Sequence, residues 1–324
     1  MRAVLAHTTE NFSRAIIMPN LNPPVVTKHD AIKYRNRIIS AIPDVDSFTP
    51  LMTLYLTDNT NAEDLRNSFK EGVVVAAKLY PAGATTNSES GVTDVKTIYP
   101  LLSAMEEIGM PLLIHGEVVK DDVDVFDREN VFIEKILSPL RDNFPCLKIV
   151  LEHVTTSAGV DFVKSQDRYT AATITPHHLV INRNSMFKGG IRPHFYCLPV
   201  AKREKHRLAL VNAATSGDKR FFLGTDSAPH FNSAKESSCG CAGIFNVPIA
   251  LPILAHVFEE EEKLNNLERF CSLNGPEFYG FDTNSETITL EKKSSPVEFE
   301  SHIDIRAERI KIFDPGLSLY WHVV

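Results

Sequence analysis

Lys78 sits inside the run Val73-Val74-Val75-Ala76-Ala77-Lys78-Leu79-Tyr80, an unusual place for a lysine. An apolar run of this kind reads as a strand buried on both faces of a parallel sheet. Burial disfavours an ammonium ion, so a lysine kept inside is paired or reactive unless its tip escapes to solvent at the strand end. A deprotonated amine in such a place can attack carbon dioxide or a carbonyl carbon.

Three more ionisable residues occupy equivalent positions. His115 closes the run Leu112-Leu113-Ile114, and His153 follows Ile149-Val150-Leu151-Glu152. Taken singly, each is more often a hydrogen-bonded strand-end histidine than a ligand. Repeated on successive strands, neutral imidazoles can converge on one zinc ion, which prefers nitrogen donors and keeps an open position when it is catalytic. Asp226 follows Phe221-Phe222-Leu223-Gly224-Thr225, with His230 four residues further on across Pro229. An aspartate there is also a common helix cap. Beside an activated water it can instead take a proton and return it to a leaving nitrogen. A lysine, two histidines and an aspartate at four strand ends are hard to explain as coincidence, and they stand at the face where parallel α/β folds place their active sites.

The stretch after Lys78, residues 81–91, is small, polar and turn-rich, and carries Thr85 and Thr86. It reads either as a plain long loop or as a mobile lid offering two hydroxyls to a substrate. Cys239 and Cys241 form the one close cysteine pair, but no further ligands follow at zinc-knuckle spacing, so a Gly-rich loop that carries thiols is the better reading.

The elements that must position these residues are seven strands, expected near residues 15–18, 51–56, 73–79, 111–115, 147–152, 171–175 and 221–224. Amphipathic segments separate them. Val95, Ile98, Leu101, Leu102, Met105 and Ile108 make one helical stripe behind Thr93-Asp94, and Phe132, Ile133, Ile136, Leu137 and Leu140 make another. Alternating strands and helices predict an α/β fold with a parallel sheet. No GxGxxG or GxxxxGK[ST] phosphate loop occurs, which disfavours an open doubly wound sheet. The first strand stands so near Met1 that no earlier strand fits, so a (β/α)8 barrel lacking its first strand stands beside the open sheet as a topology these strands allow. Residues 1–282 are read as the barrel domain, and residues 283–324 as an extension of short antiparallel strands or a wrapping tail.

Composition narrows the partners. The net charge is −7, from 34 basic and 41 acidic residues without a long basic run, which argues against nucleic acid and for a small-molecule partner. No apolar stretch approaches a membrane span or a signal-peptide core. Five cysteines, an odd number, suggest no disulfide framework and fit a reducing, cytoplasmic setting.

Ten stretches, in order through nearly the whole chain, resemble the shorter single-function class of dihydroorotase: IIMPNLNPPV (16–25), FTPLMTLYLTD (48–58), AAKLYPAGATTNS (76–88), PLLIHGEV (111–118), LEHVTT (151–156), TITPHHL (173–179), RPHFYCLPVAKR (192–203), LGTDSAPH (223–230), KESSCGCAG (235–243) and NGPEFYG (274–280). The resemblance implies a metal-dependent (β/α)8 barrel that reversibly closes N-carbamoyl-L-aspartate to L-dihydroorotate in pyrimidine synthesis. It implies a carboxylated Lys78 bridging two zinc ions, His115 and His153 on the second zinc, and Asp226 both binding the first zinc and acting as general base and acid. Asn20 and His230 would hold the substrate carboxylate, the backbone of Leu198 and Ala242 would meet the ring amide, and Thr85 and Thr86 would lie on the closing loop. A cytoplasmic homodimer is implied as well.

One departure stands beside this. The family opens on a strand bearing His-x-His and, two residues on, an arginine, which bind the first zinc and the substrate carboxylate. No His-x-His occurs in this sequence, and His7 is solitary. The expectation is therefore an enzyme whose 324-residue form is impaired and holds at most about one zinc tightly. Two other readings compete: an inactive relative serving as a binding or scaffold protein, and another cyclic-amide hydrolase such as a hydantoinase or allantoinase. The cost of keeping Lys78, His115, His153 and Asp226 buried without a function argues against the first. The Asn20, Leu198 and His230 motifs argue against the second.

Overall fold

The computed structural model describes residues 1–42 and 47–324. These divide into two compact units, one made of Met1–Glu152 with Lys164–Ala171 and the other of His153–Val163 with Ala172–Val324.

The first unit opens with α1 (Arg2–Thr9) and then alternates β1 (Arg14–Ile17), α2 (Lys28–Ile39), β2 (Thr49–Tyr55), α3 (Ala62–Lys70), β3 (Ala76–Leu79), α4 (Tyr99–Ile108), β4 (Leu112–Ile114), α5 (Arg128–Phe132), α6 (Ser138–Asn143) and β5 (Ile149–Leu151). Each strand pairs in parallel with the next, in registers that set Ile16 against Leu51, Tyr55 against Lys78, Lys78 against Leu113 and Ile114 against Leu151. Met52, Leu54, Ala76, Ala77, Leu79, Leu112, Leu113, Ile114, Ile149 and Val150 are all buried. A parallel sheet covered on both faces needs such continuous apolar runs rather than alternation. The strand expected over residues 73–79 is shorter than its apolar run. The N–H groups of Val73 and Val74 bond back to the Ser68 carbonyl, closing the end of α3, and pairing with β2 begins only where Val75 N–H meets the Met52 carbonyl at 2.9 Å.

The helices start and stop where their end residues allow. A Thr27–Asp30 capping box opens α2, and the Asn61 side chain caps α3 by accepting from the Glu63 and Asp64 N–H groups. The stripe from Val95 to Ile108 begins as a 3₁₀ turn (Val95–Ile98) capped by Asp94, then runs into α4, which ends at Gly109 with φ 69°. The second stripe joins α5 to α6 through a π turn (Ile133–Leu137). That wide turn lies just before Pro139, which has no N–H to continue the i to i−4 ladder.

The second unit holds α7 (Ser157–Ser165) as far as Val163, and β6 (Thr170–Ile174) from Ala172 onward. Then follow α8 (Pro176–Val180), α9 (Glu204–Thr215), β7 (Phe221–Leu223), α10 (Asn232–Lys235), α11 (Ala250–Glu260) and α12 (Asn274–Tyr279). β7 lies parallel to β6, with Ala172 opposite Phe221 and Ile174 opposite Leu223. Beyond α12 come β8 (Leu290–Lys292), β9 (His302–Ile305), β10 (Glu308–Lys311) and β11 (Trp321–Val323), paired antiparallel as β9 with β10 and β8 with β11. All seven expected strands are therefore present as β1 to β7, and the chain is α/β. Among the described residues no helix is long and apolar enough to cross a membrane.

Candidate functional site

In the first unit Lys78 and His115 stand at the ends of neighbouring strands. Lys78 is 1% exposed on β3, and His115, also 1% exposed, leaves β4 with its N–H bonded to the Leu79 carbonyl at 3.0 Å. The Lys78 tip thus does not escape to solvent. Tyr80 lies beside both: the Lys78 amine is 5.1 Å from the Tyr80 ring centroid, and the Tyr80 and His115 rings are 6.2 Å apart. Tyr55 stacks on Tyr80 at 5.1 Å, and burial pushes its phenol up to about 12, with Glu89 adding to the effect. His115 Nε2 is 2.8 Å from Glu117 Oε2, and Glu117 is itself 1% exposed. A carboxylate accepts from that nitrogen, so Nε2 carries a proton.

The loop after Lys78 folds against Asn20. Asn20 Nδ2 donates to the Thr86 carbonyl at 3.2 Å, and Asn87 Nδ2 donates to the Asn20 carbonyl at 3.0 Å. Thr85 is held differently: its N–H meets Ser88 Oγ at 2.8 Å, and the Ser88 hydroxyl donates back to the Thr85 carbonyl at 2.6 Å. Asn20, Thr85 and Thr86 thus fall in one neighbourhood, with Asn87 at φ 56° turning the chain beside them.

In the second unit His153 and Asp226 share an uncommon backbone, φ 43° and φ 44°. Non-glycine residues adopt it when surrounding contacts hold them there, often at functional sites. For His153 the hold is Thr173, whose Oγ1 accepts the His153 N–H at 2.7 Å and whose carbonyl accepts from Val154 at 3.0 Å. For Asp226 it is the segment 244–247: Asn246 Nδ2 donates to the Thr225 carbonyl at 2.7 Å, and Ala228 N–H to the Ile244 carbonyl at 3.0 Å. Gly224 brings the chain in close, since a Cβ there would lie 2.7 Å from Thr173 Cβ.

His230 and Ala242 meet in the same unit. Burial and the Lys235 charge hold the His230 imidazole below its ordinary range, and a hydrogen bond to the Ala242 backbone works the other way. Leu198 follows Cys197 on the segment after Tyr196, half-buried. Lys235, 3% exposed, donates to the carbonyls of Tyr196, Cys241 and Gly243 at 2.8, 2.7 and 2.9 Å. Burial pulls its amine down to about 8 against the opposing influence of Cys197 and Cys241.

A buried trio, His177, His178 and Cys197, presents nitrogen and sulfur atoms within 4.8 Å of one another. Its hydrogen bonds give it another explanation. His178 Nε2 is 3.1 Å from the Pro199 carbonyl and so carries the proton, while Nδ1 is 2.8 Å from Thr175 Oγ1. Both nitrogens are engaged, which suits a core histidine rather than a ligand.

Residue type and spacing do not single out Tyr80, Glu117, Thr173, Asn246 or Lys235 as site residues. Glu117 has a signal all the same, since His115-x-Glu117 places a second polar group just past a strand end. The other four reveal themselves only through side-chain hydrogen bonds and packing.

A model of the amidohydrolase family matches residues 4–307. The chain is similar to the dihydroorotase of Chelativorans sp. (strain BNC1), 57% identical over 323 residues that cover 100% of this chain and 93% of that one. Among solved structures it is similar to dihydroorotase from Saccharomyces cerevisiae in complex with 5-fluoroorotic acid (TM-score 0.89, 33% identity, 100% of this chain and 93% of that one). It is also similar to dihydroorotase from Campylobacter jejuni (TM-score 0.89, 35% identity, 99% and 91%).

Proposed function

The chain belongs to the amidohydrolase family, and from that premise we propose that it is a dihydroorotase, converting N-carbamoyl-L-aspartate and L-dihydroorotate into one another. The observation that carries this reading is the likeness to dihydroorotases over the full length of the chain. Its fold is like theirs, an α/β fold of the amidohydrolase family.

The donors suit a divalent metal such as zinc. His115 is a buried imidazole whose far nitrogen is fixed by Glu117, the carboxylate–histidine pairing that orients metal-bound histidines. Lys78, His115, His153 and Asp226 are the proposed ligands, nitrogen and oxygen donors of the kind zinc takes. Zinc, when bound, would lower the pKa of water and polarise the carbonyl under attack. For Lys78 the role requires carboxylation: the neutral amine attacks carbon dioxide, an N–C bond forms, a proton leaves, and the side chain becomes a carbamate anion.

Asp226 takes the proton of the attacking water and returns it to the ring nitrogen as the cyclic amide opens. In the closing direction the same carboxylate removes a proton from the carbamoyl nitrogen. Asn20 and His230 hold the substrate carboxylate. The backbone of Leu198 and Ala242 meets the ring amide, and Thr85 and Thr86 offer hydroxyls from the loop beside Asn20. A cytoplasmic homodimer completes the proposal. Incubation of the zinc-loaded protein with N-carbamoyl-L-aspartate tests it: L-dihydroorotate should form, at the reduced rate expected of a chain without His-x-His, and its complete absence would reject the reading.

A further inference from the structure

Lys235 closes a helix of only four residues, yet it is 3% exposed. A lysine is rarely buried so fully unless its charge is used. Here the ammonium has three N–H bonds, and three backbone carbonyls accept them: Tyr196, Cys241 and Gly243, at 2.8, 2.7 and 2.9 Å. The identity of those carbonyls is informative. Tyr196 stands two residues before Leu198, and Cys241 and Gly243 flank Ala242.

The two segments are also tied directly, because Gly243 N–H donates to the Tyr196 carbonyl at 3.0 Å. On its other side the loop is wedged. A Cβ on Gly243, which has φ 152°, would lie 2.8 Å from both Ala228 Cβ and His230 Cδ2. The loop therefore has the amine on one flank and His230 on the other, and neither leaves it room to drift.

We propose that Lys235 is a positioning residue for substrate, its ammonium holding in register the two backbone segments that carry Leu198 and Ala242. The proposal rests on the reading of those two residues as the backbone groups that meet the ring amide of L-dihydroorotate. A compact ammonium fits this role because it points three donors in three directions, whereas a guanidinium spreads its donors in one plane. Arginine should therefore not replace it. Backbone contacts made equally in the ground and transition states act on KM rather than on kcat.

The experiment compares the zinc-loaded 324-residue chain with Lys235→Gln and Lys235→Arg, measuring kcat and KM for L-dihydroorotate, bound zinc and thermal midpoint. Both variants should keep their zinc and raise KM about tenfold or more, with kcat held within about threefold. An unchanged KM accompanied only by a lower thermal midpoint would overturn the proposal, as would full rescue by Lys235→Arg or a loss confined to kcat and zinc. Should neither variant fold, Gly243→Ala crowds the same loop from the His230 side and leaves the amine intact. It should raise KM in the same way, and an unchanged KM there counts equally against the proposal. Failure of the functional reading looks different, because wild-type protein would then not turn over L-dihydroorotate at all, and the proposal would fall with it.

Discussion

His115 Nε2 lies 2.8 Å from Glu117 Oε2, two buried side chains two residues apart at the end of β4. The carboxylate fixes which imidazole nitrogen is protonated and which way the ring faces. Glu117→Gln keeps the shape and removes the charge, so it should lower zinc affinity by about tenfold to a hundredfold. Competition with a chromogenic chelator measures this, and an unchanged affinity would show that Glu117 serves packing alone.

Lys78 is the most informative single substitution. Its amine is enclosed and lies against the Tyr80 ring, so Lys78→Met fills similar space without the nucleophile. Activity should fall by about a thousandfold, in line with the several kcal/mol that metal-assisted activation supplies. The wild-type protein, equilibrated with ¹³C-labelled carbon dioxide, should show a carbamate carbonyl signal that Lys78→Met lacks.

Acid should loosen the second unit through its buried histidines. Burial and the Lys202 charge push the His178 imidazole down to about 3 against a hydrogen bond to Pro199, and burial with His178 lowers His177 as well. In the unfolded chain a histidine gains its proton near pH 6.5. The stability from each neutral histidine is therefore whole above that pH and drains away as the pH falls toward about 3 for His178. Between pH 6.5 and 5 the loss is about 2 kcal/mol for His178. Urea midpoints at pH 7 and pH 5 should diverge less in His178→Gln than in the wild type. Equal divergence would count against the assignment.

The thiols should separate by environment. Cys146 and Cys239 are exposed, whereas Cys197 is buried and burial pushes the Cys271 thiol up to about 12. At pH 8 a maleimide should label Cys146 and Cys239 readily in the folded protein, the half-buried Cys271 only slowly because its thiol is pushed up, and Cys197 only after unfolding. Mass spectrometry of the digested protein distinguishes these outcomes.

Much of the scaffold is legible in the sequence because buried parallel strands write themselves as apolar runs, and a charged residue at the end of such a run stands out. Lys78, His115, His153 and Asp226 stand out in that way. Tertiary hydrogen bonds are less legible. The valines at 73 and 74 look like strand residues by type, yet their N–H groups close α3. Lys235 sits in a polar segment that reads as surface loop, and only the carbonyls around it disclose its burial. The left-handed backbone of His153 and Asp226 has no sequence signal of the kind glycine gives.

Specificity of turnover is the most direct test of dihydroorotase chemistry in this chain. Zinc-loaded wild-type protein and Asp226→Asn should be compared on L-dihydroorotate and on hydantoin. The wild type should open L-dihydroorotate with kcat/KM about a hundredfold or more above that for hydantoin, and Asp226→Asn should lose this activity. Equal or greater turnover of hydantoin, or an Asp226→Asn protein as active as the wild type, would contradict the assignment.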